Sequence, residues 1–257
     1  MVSQIYSLVL HIPANFLYAG FVFFSTLCSY SFHWYFSGET MLRSERITWK
    51  QQLRDIHGIF FLIGLAGSIF FSFYLLEYLN WLAPAAIATF LYSAPKIPNK
   101  YLRLLRKVAW GKTIFLAAVW TYVTSIMPIV ISGRGWISSF TFFTISRYFL
   151  IYTVCILFDN RDKEDDKAAG IRSLITYMSE RNIRFLFFSS LLIFIVTTLF
   201  LFNYDFSALD IFLLIIPGIL LALLYRKATS HFGDMLYYFV LDGLMAFSAL
   251  LTLIARI

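Results

Sequence analysis

Five of the fourteen acidic residues of this 257-residue chain fall within eight positions: Asp159, Asp162, Glu164, Asp165 and Asp166. They open a polar block, D-N-R-D-K-E-D-D-K-A-A-G-I-R-S from Asp159 to Ser173, in a sequence that is otherwise nearly all apolar. The chemistry such a block can do is cation binding. Asp162 and Asp166 are spaced i, i+4, which on a helix puts both carboxylates on one face, about 6 Å apart along the axis. Asp159 lies one turn earlier, on a neighbouring face. A hard cation such as Mg²⁺ takes oxygen ligands and prefers one or two carboxylates plus phosphate oxygens. Lys167 and Arg172 would then neutralise a diphosphate held against it. The plainer reading of the same residues is a solvated loop of mixed charge.

The elements that must position this block are set by composition. The chain is 60% hydrophobic, 20% aromatic and 14% charged, with a mean hydropathy of +0.75. So little charge over this length implies a polytopic membrane protein of the all-α class, read as a single domain over 1–257. The net charge of +7 does not call for nucleic acid, because membrane proteins collect Lys and Arg in cytoplasmic loops. Cys28 and Cys155 both fall in apolar runs and lack ligand spacing. The opening M-V-S-Q-I-Y-S has no basic flank and no cleavage site, so it does not read as a signal peptide.

Eight apolar spans are expected, over 12–36, 56–76, 78–94, 108–131, 136–158, 184–203, 207–225 and 233–255. Each is near the ~20 residues that cross a bilayer core. The third is short and carries Pro84. Loops 37–55, 95–107, 159–183 and 226–232, with their flanks, hold 18 of the 21 Lys and Arg residues. The positive-inside bias therefore puts these four loops in the cytoplasm and both termini outside.

The block resembles the second aspartate motif of the UbiA superfamily of intramembrane prenyltransferases. That motif is D-x-x-x-D followed by G-[I/L]-[K/R]-[S/T]. Here Asp162–Asp166 is followed in register by Gly170, Ile171, Arg172 and Ser173. A weaker match is Y-S-x-P at Tyr92-Ser93-Ala94-Pro95, followed by Lys96. The resemblance covers most of the chain. Family members usually have nine helices where eight are read here. The family's first motif, N-D-x-x-D-x-x-x-D, aligns with Ser31 to Glu39, where Phe32 and Tyr35 stand in place of aspartates and Glu39 alone is acidic.

The resemblance implies a multi-pass enzyme that moves a prenyl group from an isoprenyl diphosphate to an aromatic or lipid acceptor within the membrane, with Mg²⁺ as cofactor and the site facing the cytoplasm. It implies Asp162, Asp166, Tyr92 and Lys96 as catalytic residues. Lys167, Arg172 and Arg161 would bind diphosphate, and Asp159, Asp162, Asp166 and Glu39 would hold metal. Ionising an allylic diphosphate needs positive charge at the leaving group, and aromatic faces can stabilise the resulting cation. The alternative is a catalytically degenerate member that binds isoprenoids or quinones, or acts as a scaffold. A transporter is expected to show inverted repeats or broken helices, and neither is seen.

Arg147 lies in mid-span, about 16 Å from the cytoplasmic end of its span, and Asp242 lies about 15 Å deep in the last. The two are expected to face each other as an intramembrane ion pair or at a cavity floor. His33, His57 and His231 sit near cytoplasmic span ends. Asp234 begins the last span. The segment Asn99–Trp110 reads as an amphipathic helix in the interface, with Leu102, Leu105 and Ala109 opposite Arg103, Arg106 and Lys107.

Overall fold

A computed structural model describes residues 1–36, 54–93, 111–168 and 173–255. Every regular element among them is helical, and six helices are long and apolar enough to cross a membrane. The protein is an all-α, multi-pass membrane protein. Its chain contacts divide it into two compact units.

The smaller unit, 15–110 with 167–172, contains α1 (Phe16–Phe36), α2 (Arg54–Phe73) and α3 (Leu79–Ser93). The Asn15 side chain starts α1 by accepting from the Tyr18 N–H at 3.0 Å, which satisfies one orphan donor of the first turn. Two helices in lipid gain little from hiding apolar surface from each other, so they associate through close packing of small residues. Gly64 of α2 shows this: a Cβ there would lie 2.5 Å from the Cys28 backbone nitrogen of α1. Ser25 and Ser68 add a 3.3 Å hydroxyl contact across the same seam. Of the three helices only α2, from Asp55, is among the six. The expected first span corresponds to α1, in which hydroxyls and His33 dilute the apolar run. The third corresponds to α3, which at 15 residues is short of a full crossing.

The larger unit, Met1–Ala14, Gly111–Asp166 and Ser173–Ile257, holds the other five long helices. These are α4 (Lys112–Ile131), α5 (Ser138–Arg161), α7 (Glu180–Asn203), α8 (Ala208–Ser230) and α9 (Met235–Ile254). The short α6 (Lys163–Ala168) follows α5. Pro128 cannot donate a backbone hydrogen bond and crowds the carbonyl four residues earlier, and α4 widens to a π-turn over Tyr122–Ile126 just before it. Gly133, at φ +67°, makes the left-handed turn out of α4 that a glycine adopts without strain. Serines cap two starts. Ser179 accepts from the Asn182 N–H before α7, and Ser207 and Asp210 form a reciprocal capping box before α8.

The centre of this unit is α5, which packs against α4, α7, α8 and α9. Leu150, Ile151, Ile156 and Leu157 are buried with Phe187, Phe194, Leu221, Tyr237 and Leu241. A second cluster joins Ile5, Tyr6, Leu8 and Leu10 of the N-terminal segment to Ile129, Phe140, Phe143, Leu201 and Leu214. Gly218 lets α8 lie against the Phe194 ring of α7. Outward-facing Phe185, Leu223 and Phe212 remain exposed, as suits a lipid-facing surface.

Two expectations are corrected. The first residues of the polar block are not a loop: α5 continues through Asp159, Asn160 and Arg161, and Asp162 is the turn between α5 and α6. Arg147 and Asp242 do not pair. Arg147 donates to Ser248 Oγ and Ser146 Oγ, both at 3.1 Å. Its guanidinium also lies 5.4 Å from the ring centres of both Phe143 and Phe194. The charge of Asp242 interacts with Arg161 instead. Counting residues to the span ends did not put the two on one level: Arg147 meets Ser248, further along α9, whereas Asp242 lies nearer the Tyr238 contact of Arg161.

Candidate functional site

Three elements of the larger unit converge at one end of α5. The first turn of α4 supplies Lys112 and Thr113, the last turn of α5 supplies Asp159, and α6 supplies Asp166. The Lys112 ammonium lies 3.5 Å from Asp159 Oδ1 and 3.5 Å from Asp166 Oδ2. Thr113 Oγ1 donates to the other Asp159 oxygen. Both carboxylates are buried, at 6% and 7% exposure, so each needs compensation inside the protein. Asp159 needs it most, because a carboxylate at a helix C-terminus faces the negative end of the dipole. Burial pushes the Asp166 carboxyl above its usual range, and Lys112 opposes that rise.

Beside this cluster, Arg161 is fixed from every side. Its Nε donates to Asp162 Oδ1 at 2.8 Å and an Nη2 proton goes to the Tyr238 hydroxyl at 3.1 Å. The guanidinium lies over Phe158, Tyr237 and Tyr238, 5.0, 4.6 and 4.8 Å from their ring centres. Such stacking suits a delocalised, weakly hydrated cation. Its Nη1 is buried without a hydrogen-bond partner among the described residues. Lys163 ties α6 to the start of α7 through Met178 O and Glu180 Oε1, both at 2.9 Å. Ser173 closes the block with a 2.7 Å hydroxyl contact to Thr176.

The expected residues therefore separate. Asp159 and Asp166 come together. Asp162 turns to Arg161 instead, and among the described residues no three acidic, His or Cys side chains gather as a metal set. The expected Asp162/Asp166 face is thus replaced by an Asp159/Asp166 pair. Lys167 is exposed near the end of α6. Tyr92, in the smaller unit, stacks on His33 at 6.0 Å. Glu39, Lys96 and Arg172, with the helix expected over Asn99–Trp110, lie outside the described residues. Phe32 packs on Phe61 at 5.7 Å, and His57 stacks on Trp34.

Lys112 and Thr113 were not legible as site residues. The sequence shows Lys112 only as one more cation flanking a loop, 54 positions from Asp166. Two carboxylates that already share one ammonium form a place built for positive charge. Their donor chemistry suits a single Mg²⁺ completed by phosphate oxygens. No protein-family model, no curated protein and no solved structure matches this chain.

Proposed function

We propose that the chain binds an isoprenyl diphosphate at this cluster, with Mg²⁺, and transfers the prenyl group to a hydrophobic acceptor in the membrane. The observation that carries the proposal is the buried Asp159–Lys112–Asp166 arrangement at the end of a membrane-spanning helix. Asp159 and Asp166 would hold Mg²⁺. When bound, the ion supplies positive charge to the leaving diphosphate. Lys112 then gives its protons to phosphate oxygens rather than to the two carboxylates, and the unpartnered Nη1 of Arg161 offers a further donor. Asp162 holds Arg161 in place and does not touch metal in this assignment. Membrane lipid surrounds the unit, and no nucleic acid is involved. In the same proposal the fold is UbiA-like, α1 and α3 also cross the bilayer to give eight spans, the site faces the cytoplasm and both termini lie outside.

A second reading has its own support. At the first-motif positions Phe32 packs against Phe61 and Tyr35 lies against Gly58, so these positions fill a helix seam instead of presenting carboxylates. That favours a protein that binds the isoprenoid without transferring it.

One experiment separates the two. Binding of a non-hydrolysable prenyl diphosphate to the purified chain is measured with and without Mg²⁺, in wild type, Asp159→Asn, Asp166→Asn and Asp162→Asn. Micromolar, Mg²⁺-dependent binding that is lost in the first two variants, followed by turnover of a hydrolysable diphosphate, supports transfer. The same binding with no turnover against a panel of acceptors supports the second reading. No binding by well-folded wild type removes both.

A further inference from the structure

The two ends of the larger unit carry different chemistry. α5 and α9 run antiparallel, since Arg161 contacts Tyr238 near the start of α9 and Arg147 contacts Ser248 near its end. Away from the acid cluster, a cavity of about 240 Å³ is lined by Ser3, Gln4, Ser7, Ile12, Ala249 and Leu253, among others. Its walls are mostly apolar, and its polar groups come from the N-terminal segment.

Behind that wall lies an electrostatic imbalance. Arg147 is 1% exposed. Its charge has two serine hydroxyls and two phenyl faces around it but no carboxylate partner among the described residues. Its Nε is buried without an acceptor. An isolated ion in so apolar a place is costly unless it is compensated. The link to the cavity is a short relay. Ser248 Oγ accepts from Arg147, so it gives its own proton to Gln4 Oε1, at 3.5 Å. With the amide oxygen on the Ser248 side, Nε2 is a buried donor without a hydrogen-bond partner among the described residues. Gln4, which lines the cavity, is therefore an acceptor-deficient donor backed by an uncompensated guanidinium.

We propose that this cavity binds a small carboxylate with an apolar chain, its carboxylate at Gln4 and its chain along Ile12, Ala249 and Leu253. The charge sign follows from Arg147, the hydrogen-bond sense from Gln4 Nε2, and the apolar remainder from the lining. The volume, below the ~300 Å³ at which drug-sized sites begin, sets a small ligand. This site is separate from the diphosphate cluster and stands whether or not that assignment holds.

The test uses the full chain in nanodiscs and three six-carbon probes: hexanoate, hexanol and hexylammonium. Binding is followed by equilibrium dialysis and by the ligand-dependent rise in unfolding temperature. Hexanoate should bind saturably, and Gln4→Leu should weaken it about tenfold, the usual scale for losing a hydrogen bond to a charged group. Hexanol should bind at least about tenfold more weakly than hexanoate, for the same reason. Gln4→Glu supplies the missing counter-charge from within the chain. It should abolish hexanoate binding while raising the unfolding temperature of the ligand-free protein, a result that unfolding of the variant cannot mimic. Equal binding of hexanoate and hexanol, or hexanoate binding unchanged in both Gln4 variants, overturns the proposal. So does failure of folded wild type to bind hexanoate.

Discussion

Asp159 and Asp166 share one counter-ion, the Lys112 ammonium, at 3.5 Å from an oxygen of each. One residue ends α5, the other sits on α6, and the cation comes from the start of α4. The polar block is therefore held against the bundle by a residue outside it. Without Lys112, two buried carboxylates would face each other with Thr113 as the one side-chain donor to Asp159 among the described residues. Breaking a fully buried pair costs ~3–5 kcal/mol, and partial solvent access at Lys112 should bring the loss for Lys112→Met to about 2 kcal/mol. Adding Asp159→Asn to that variant should restore much of it, since the repulsion disappears. Denaturant unfolding of the three proteins in detergent measures both effects. A double variant less stable than Lys112→Met would show that the cluster is not electrostatically coupled.

The same burial sets a pH dependence with a definite sign. Asp166 has its folded pKa raised, chiefly by burial. The folded state therefore holds this proton more tightly than the unfolded chain does. The resulting contribution to stability is complete below the ordinary aspartate pKa and is lost as pH rises through the raised folded value. In metal-free buffer, wild type should lose stability relative to Asp166→Asn over that interval, and the difference should level off above it. Thermal unfolding of both proteins from pH 4 to pH 8, with EDTA, gives the slope. A difference that moves in favour of wild type as pH rises contradicts the burial argument.

The helices and the charge-bearing block were legible because both are written locally. Long apolar runs mark the spans, and five acids in eight positions mark the block. What was not legible depends on rotation and on distance in sequence. The i, i+4 spacing of Asp162 and Asp166 assumed one uninterrupted helix. The turn at Asp162, and the arginine next to it, redirect that carboxylate. Lys112 carries no local mark of its role, since it reads as another topology cation until α4 is packed on α5. Arg147 was found as an anomaly by depth alone. Its true surroundings, two serines and two phenylalanines, contain nothing that a search for opposite charges would find.

That difference is measurable at Arg147 and Asp242. If the two residues are independent, the stability changes of Arg147→Met and Asp242→Asn should add, with a coupling energy below about 0.5 kcal/mol in a double-mutant cycle. Arg147→Met should itself be close to neutral or stabilising, because it replaces a buried cation lacking a carboxylate with an apolar side chain of similar length. Unfolding of the four proteins in one detergent closes the cycle. A coupling above about 1.5 kcal/mol would restore the ion pair.

Two glycines test how the helices approach each other. In α2, a Cβ at Gly64 would meet the Cys28 backbone of α1 at 2.5 Å. Backbone cannot swing aside as a side chain can, so α1 and α2 must separate. Gly64→Ala should therefore cost roughly 1–3 kcal/mol, the range for overpacking a tight contact. Gly243, in α9, has nothing within 4 Å of the same added atom. There the substitution removes only the conformational freedom of glycine in a helix, and Gly243→Ala should stabilise by about 0.5–1 kcal/mol. The two variants share the same chemistry and differ only in the neighbour they meet. Measured side by side by denaturant unfolding, they should shift stability in opposite directions. Equal shifts would mean that the α1–α2 seam is looser than the Gly64–Cys28 contact requires.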